Sequence, residues 1–216
     1  MMIHALVLSS LLLTEAGAGG DVLFEETFDG ELQSAWKWIR PDADEWRLRD
    51  NELQVRSQFG RIWGGNDAKN VLVIRPAKTD NVEARVRVAH APKEKWEQAG
   101  LLWYVDDDNF VKVISEQIDE KMYAVICREQ GGRGQVFGKV EAPSADMQLG
   151  LVVQGNRVTG KWRLKETDPW SDAGSCQFDA PGDRYFGLFT QNGPQDQLRW
   201  VRFDSFVIID LLGEKE

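Results

Sequence analysis

The feature that most constrains this chain is a two-residue hydrophobic repeat. It returns along the whole length, and beyond the N-terminal stretch no segment keeps a 3.6-residue repeat for three turns. In NVEARVRVAH, Val82, Ala84, Val86 and Val88 alternate with Glu83, Arg85 and Arg87. Successive side chains of a strand point to opposite faces, so this segment has one core face and one polar face. MYAVICRE, LGLVVQ, RVTGKWRL, YFGLFTQ and RWVRFDSFVI follow at short intervals. Gly155-Asn156, between two of them, suits a two-residue hairpin turn. Strands this numerous, joined by tight turns, predict an all-β chain whose two antiparallel sheets form a jelly-roll sandwich, with a closed barrel as the alternative. No linker, repeat or low-complexity tract interrupts residues 20–212, which read as a single domain followed by a fraying GEKE terminus.

The 216 residues are 42 % hydrophobic with a net charge of -9, enough apolar content for a sizeable core. An acidic balance without a basic run disfavours phosphate backbones and anionic membrane surfaces, so no nucleic-acid partner is expected; a neutral glycan is compatible with this charge. Nine Trp and ten Phe exceed what a core alone needs, and such side chains also line ligand surfaces. The opening MMIHALVLSSLLLTEAGAGG has an apolar run from Ala5 to Leu13 followed by Ala16-Gly17-Ala18. That pattern predicts a signal peptide over residues 1–18 and a secreted or periplasmic mature chain without a membrane span; a plain hydrophobic N-terminal helix is the alternative. The mature chain then has one histidine, His90, which removes His-based zinc sites and makes any Ser-His-Asp triad depend on that residue. Its place at a strand end, in VAHAPKE, argues against catalysis. Cys127 and Cys176 are compatible with one disulfide in an oxidising compartment and equally with two buried thiols.

Chemistry concentrates in QAGLLWYVDDDNFVKVISE, residues 98–116, two apolar runs around an acidic turn. With Asp106 to Asn109 in the loop, Val105 faces Phe110, which sets Trp103 opposite Lys112 and Ala99 opposite Glu116. Leu102, Tyr104, Val111 and Val113 then form the core face, and Trp103, Lys112 and Glu116 point away from it into a possible concave groove. Lys112 and Glu116 share a face in any register. In a binding role Trp103 stacks on an apolar ring face while Lys112 and Glu116 bond hydroxyls; in a structural role they are a cross-strand ion pair covered by an indole. Arg128, after Tyr123, Val125 and Cys127, is expected on the Lys112 side, as are Arg85 and Arg87. RIWGGNDAKN, residues 61–70, is a loop able to present Trp63 at the groove mouth, with Gln191 as a further candidate. The first strand, VLFEETF, and the last, RFDSFVI, are expected to pair. That pairing would bring Glu25, Glu26 and Asp204 close enough to hold a structural Ca²⁺, with solvated edge carboxylates as the alternative; no other cofactor is indicated.

EKWEQAGLLWYVDDDNFVKVISE, the opening FDGELQSAWKWIRPDADEWRLRDNELQVRS and the closing DRYFGLFT with RFDSFVI resemble the concanavalin-A-like domain found at the C-terminus of β-xylosidases and in stand-alone relatives. The likeness spans roughly residues 24 to 209. It implies a concanavalin-A-like jelly-roll sandwich and carbohydrate-linked biology. In the xylosidases the domain accompanies a separate catalytic propeller, which this sequence does not contain, so a role in completing that pocket is not carried over.

Three functions follow as expectations. The first is a secreted, non-catalytic module that binds a glycan or glycoconjugate through Trp63, Arg87, Trp103, Lys112, Glu116, Arg128 and Gln191. The second is a glycoside hydrolase or lyase on the same sandwich, with Glu116 as its candidate carboxylate; the paired-carboxylate strand pattern of sandwich glucanases is absent, so catalysis is the less favoured reading. The third is a domain that contacts a protein partner.

Overall fold

The computed structural model describes residues 20–212; the signal-peptide expectation at 1–18 and the GEKE terminus lie outside them. The strands are β1 (Val22–Glu26), β2 (Trp36–Ile39), β3 (Trp46–Arg49), β4 (Glu52–Arg56), β5 (Val71–Ile74), β6 (Val82–Ala89), β7 (Gln98–Asp106) and β8 (Asn109–Ile118). They continue with β9 (Lys121–Gln130), β10 (Arg133–Glu141), β11 (Asp146–Gln154), β12 (Arg157–Arg163), β13 (Ser171–Gln177), β14 (Tyr185–Gln191) and β15 (Trp200–Asp210). Among the described residues no helix is long and apolar enough to cross a membrane.

Two antiparallel sheets result, as the alternation requires. One runs β13-β12-β11-β6-β15-β4-β3, with β1 on β15; the other runs β10-β9-β8-β7-β14-β5-β2. The first and last strands do pair, Glu26 lying opposite Phe206, because β15 is long enough to hold β4 with its first half and β1 with its second. Gly155-Asn156 turns β11 into β12, with Gln154 opposite Arg157.

Between the sheets lies the main core. Val82, Ala84, Val86 and Val88 of β6 face Leu101 and Trp103 of β7, Val111 and Val113 of β8, and Phe186 and Leu188 of β14. A second apolar layer covers the outer face of the seven-stranded sheet: Leu102, Tyr104, Phe110, Ile114, Val125, Cys127 and Phe189, closed over by Ile62 and Ala68 of the loop at 57–70. β7 and β8 are therefore buried on both faces, which is why their sequences read as apolar runs rather than clean alternation. Cys127 and Cys176 are both buried free thiols.

Candidate functional site

The β7–β8 hairpin sets the site. Its turn has only Asp107 and Asp108 between paired Asp106 and Asn109, and the register slips by one residue between Tyr104 and Asp106, leaving Val105 as a bulge. Beyond the bulge Tyr104 faces Phe110, Leu102 faces Lys112, and Gln98 faces Glu116. Trp103 thus moves to the face opposite that expected: it is 2 % exposed, in the inter-sheet core, with its ring centroid 4.6 Å from that of Phe186. Lys112 and Glu116 do share the outer face, together with Gln98.

Lys112 is 0 % exposed, and among the described residues it forms no ion pair. Its ammonium donates to Gln98 Oε1 at 2.8 Å and lies 5.0 Å from the Trp63 ring centroid and 5.6 Å from that of Phe189. Gln191 Nε2 donates to the same Gln98 oxygen at 3.0 Å, and Gln191 Oε1 accepts the backbone N–H of Ile62 at 3.0 Å. Gln98 in turn lies directly opposite Glu116 across the hairpin. One amide network therefore ties β7, β8, β14 and the covering loop together. Burial pushes the Lys112 ammonium down to about 8, only partly offset by Cys127, Glu116 and Glu129. Burial raises the Glu116 carboxyl, opposed by the Gln98 side chain and then by Lys112.

Above this network opens a cavity of about 960 Å³, lined among others by Trp63, Trp96, Gln98, Glu116, Cys127 and Gln191. Its size falls within the range of small-molecule sites, and its chemistry, aromatic rings beside convergent amides and a carboxylate, suits a polyhydroxylated ligand. Trp63 owes its position to Gly134 of β10: a Cβ there would fall 1.8 Å from the indole Nε1, so only a glycine lets the ring lie against that strand. Gly134→Val is expected to displace Trp63 and uncover Lys112. Acylation of Lys112 by an amine reagent, mapped by mass spectrometry, should change from protected to readily modified; continued protection would show that Trp63 is not the cover.

The structure separates the other candidates. Cys127 pairs with Lys112, so Arg128, the next residue on β9, points to the opposite face. It donates to the Gln177 carbonyl at 2.5 Å and stacks 4.8 Å from the Phe137 ring. Arg87 belongs to the other sheet, where it bonds both carboxylate oxygens of Asp146 at 3.0 and 2.7 Å and lies 3.8 Å from Asp204; Arg85 shares that outer face and bonds Glu83 at 2.8 Å. Neither reaches the cavity. The expected calcium ligands also disperse. Glu26 is buried and its carboxylate is taken up by the N–H groups of Phe28, Gln33 and the Trp36 indole, while Asp204 turns to Arg87. Among the described residues no group of three His, Cys, Asp or Glu side chains is gathered as a metal site would need. Gln98 and Trp96, which line the cavity, are the site residues that sequence reasoning missed. Gln98 was within reach, since one bulge in the hairpin count pairs it with Glu116 in place of Ala99.

Comparison with known proteins agrees with this architecture. Residues 25–208 match the model of the β-xylosidase C-terminal concanavalin A-like domain. No curated protein sequence matches. Among solved structures, a mutant of the GH43 protein BlXynB from Bacillus licheniformis superposes with a TM-score of 0.78 at 24 % identity, covering 86 % of this chain and 39 % of that one. The xylan β-1,4-xylosidase from Bacillus halodurans gives 0.73 at 17 % identity, covering 86 % of this chain and 38 % of the other. A functionally unknown protein from Saccharomyces cerevisiae gives 0.63 at 16 % identity, covering 83 % and 98 %. The chain thus spans well under half of the xylosidase-type structures it matches.

Proposed function

Because the chain belongs to the family of β-xylosidase C-terminal concanavalin A-like domains, we propose that it binds carbohydrate, without turning it over, in the cavity on the outer face of its seven-stranded sheet. The export suggested by the N-terminal apolar run would bring it to glycans outside the cytoplasm. The observation that supports this reading most is Lys112: a fully buried ammonium, bonded to an amide rather than a carboxylate, behind a cavity that its partner Gln98 lines. Burying an unpaired charge works against stability, so a purely structural role is a poor account of it. As the cationic end of the Gln98–Gln191–Glu116 network it instead orients the amides and the carboxylate that a sugar's hydroxyls would meet.

Glycosidases need two carboxylates flanking the scissile bond, roughly 5 to 9.5 Å apart. Glu116 is the one cavity-lining carboxylate built into a strand; Glu94, Asp119 and Glu120 sit on the surrounding loops, and Glu129 is not among the lining residues. Recognition therefore fits the site better than hydrolysis. Calorimetric titration with xylo- and cello-oligosaccharides tests it. Glu116→Ala is expected to lower affinity about 10- to 100-fold, the effect of one lost hydrogen bond to a charged acceptor. Unchanged affinity would remove Glu116 from the site, and no binding by the unmodified protein would overturn the carbohydrate reading. Products released by the unmodified protein and not by Glu116→Gln would make it an enzyme.

A further inference from the structure

We infer that Trp96 is a preformed stacking platform for a second sugar ring, so that the cavity takes a chain of linked pyranoses rather than a monosaccharide; this rests on the carbohydrate reading of the cavity. Trp96 is 55 % exposed yet lines the same cavity as Gln98 and Glu116. A large aromatic left in water at a cavity wall gains by being covered, and the flat C–H face of a pyranose covers an indole while its hydroxyls stay at the edge.

The ring is also held ready. Trp96 has φ +65°, a left-handed conformation unfavourable for a bulky residue that persists only where the surroundings over-determine it. Those surroundings are visible. The neighbouring Glu97 carboxylate, 0 % exposed, accepts the N–H groups of Lys93 at 2.9 Å and Glu94 at 3.2 Å and pairs with Arg199. Asn192 Nδ2 donates to the Trp96 carbonyl at 3.1 Å, and Asn192 directly follows Gln191 of the amide network. Lys95 packs its ammonium 4.4 Å from the Trp96 ring centroid. The platform is thereby tied to the strand whose Gln191 belongs to the proposed first subsite.

The β8–β9 turn shows the same feature. Asp119 and Glu120, which also line the cavity, have φ +49° and +64°, values a two-residue turn usually assigns to Asn and Gly. Two strained, polar or aromatic segments border one cavity far larger than a single pyranose ring requires, and together they define a second place for a sugar.

The test is chain-length dependence. Xylose, xylobiose and xylotriose, and the matching glucose series, are titrated calorimetrically into the full chain, into Trp96→Ala and into Trp96→Asn, whose new residue tolerates positive φ and so preserves the loop. Phe59→Ala serves as a control, because Phe59 is 64 % exposed but does not line the cavity. For the unmodified protein and Phe59→Ala, affinity is expected to rise about tenfold from one sugar to two, the scale of one aromatic stacking contact. Both Trp96 variants should bind the monosaccharide as before and lose that rise. If the rise persists in both variants, Trp96 is no subsite although the carbohydrate reading stands. If no sugar of either series binds the unmodified protein, both readings fall together.

Discussion

Lowering the pH from 6.5 towards 3 is expected to cost the native fold about 4 to 5 kcal/mol that a His90→Leu variant keeps. His90 directly follows β6 and is 3 % exposed, with neither ring nitrogen in a well-formed hydrogen bond. Burial first, and the Arg199 guanidinium second, push its imidazole down to about 3; the Ser115 backbone opposes this weakly. In the unfolded chain the ring protonates near its ordinary value of 6.5, so below that pH the unfolded state binds the extra proton. The stability contributed by keeping His90 neutral is therefore complete above pH 6.5 and drains away as pH falls through the window to 3. At neutral pH the leucine removes two unpartnered buried nitrogens, so the variant should be at least as stable as the unmodified protein. Urea unfolding at a series of pH values checks this. The two curves of stability against pH should diverge below 6.5; parallel curves would show that His90 protonates freely in the fold.

Lys112→Met is expected to raise stability at pH 7 by about 1 to 3 kcal/mol while abolishing glycan binding. At pH 7 the ammonium is charged in both folded and unfolded chains, so the folded state bears the full cost of burying it. The methionine has similar length, fills the space beneath Trp63 and Phe189, and leaves Gln98 Oε1 still accepting from Gln191. The advantage of the variant shrinks predictably as pH rises. Between about 8, where burial has pushed Lys112, and its ordinary 10.5, the folded state sheds the proton first, so the unmodified protein gains stability and the difference narrows. A domain of this size should show a melting-temperature rise of roughly 2 to 4 °C per kcal/mol at pH 7. A large fall instead would make Lys112 a structural residue, held by its amide bond and aromatic neighbours, and would weaken the proposed function. A stabilised variant that has lost binding would show stability given up for recognition.

Legibility of the site varied with the length over which parity had to be counted. Within β8 the step from Lys112 to Glu116 is four residues in one uninterrupted strand, and the two share a face as the sequence indicates. Trp103 had to be placed across the turn, and the bulge at Val105 reversed it. Arg128 failed for a related reason. Tyr123, Val125 and Cys127 read as core and so as inter-sheet residues, whereas they belong to a second apolar layer on the outside of the sheet. Since both layers are apolar, hydrophobicity alone cannot tell which face of β9 meets the other sheet. Trp96 left no sequence signal, because its role depends on a loop conformation and on Asn192, far along the chain.

By itself, then, the amino-acid sequence determined that this is a two-sheet antiparallel sandwich, the position of most of its longer strands, and the family to which it belongs. Period-2 alternation and turn chemistry are local properties, and a strand expresses them whatever its neighbours do. Tertiary structure alone decided which face of the hairpin is sealed and which is open. That choice turned on one bulged residue, on a glycine that leaves room for Trp63 beside Lys112, and on the Glu97–Arg199 pair that fixes the Trp96 loop. The last two join residues distant in the chain, and contacts of that kind form only when the chain has folded.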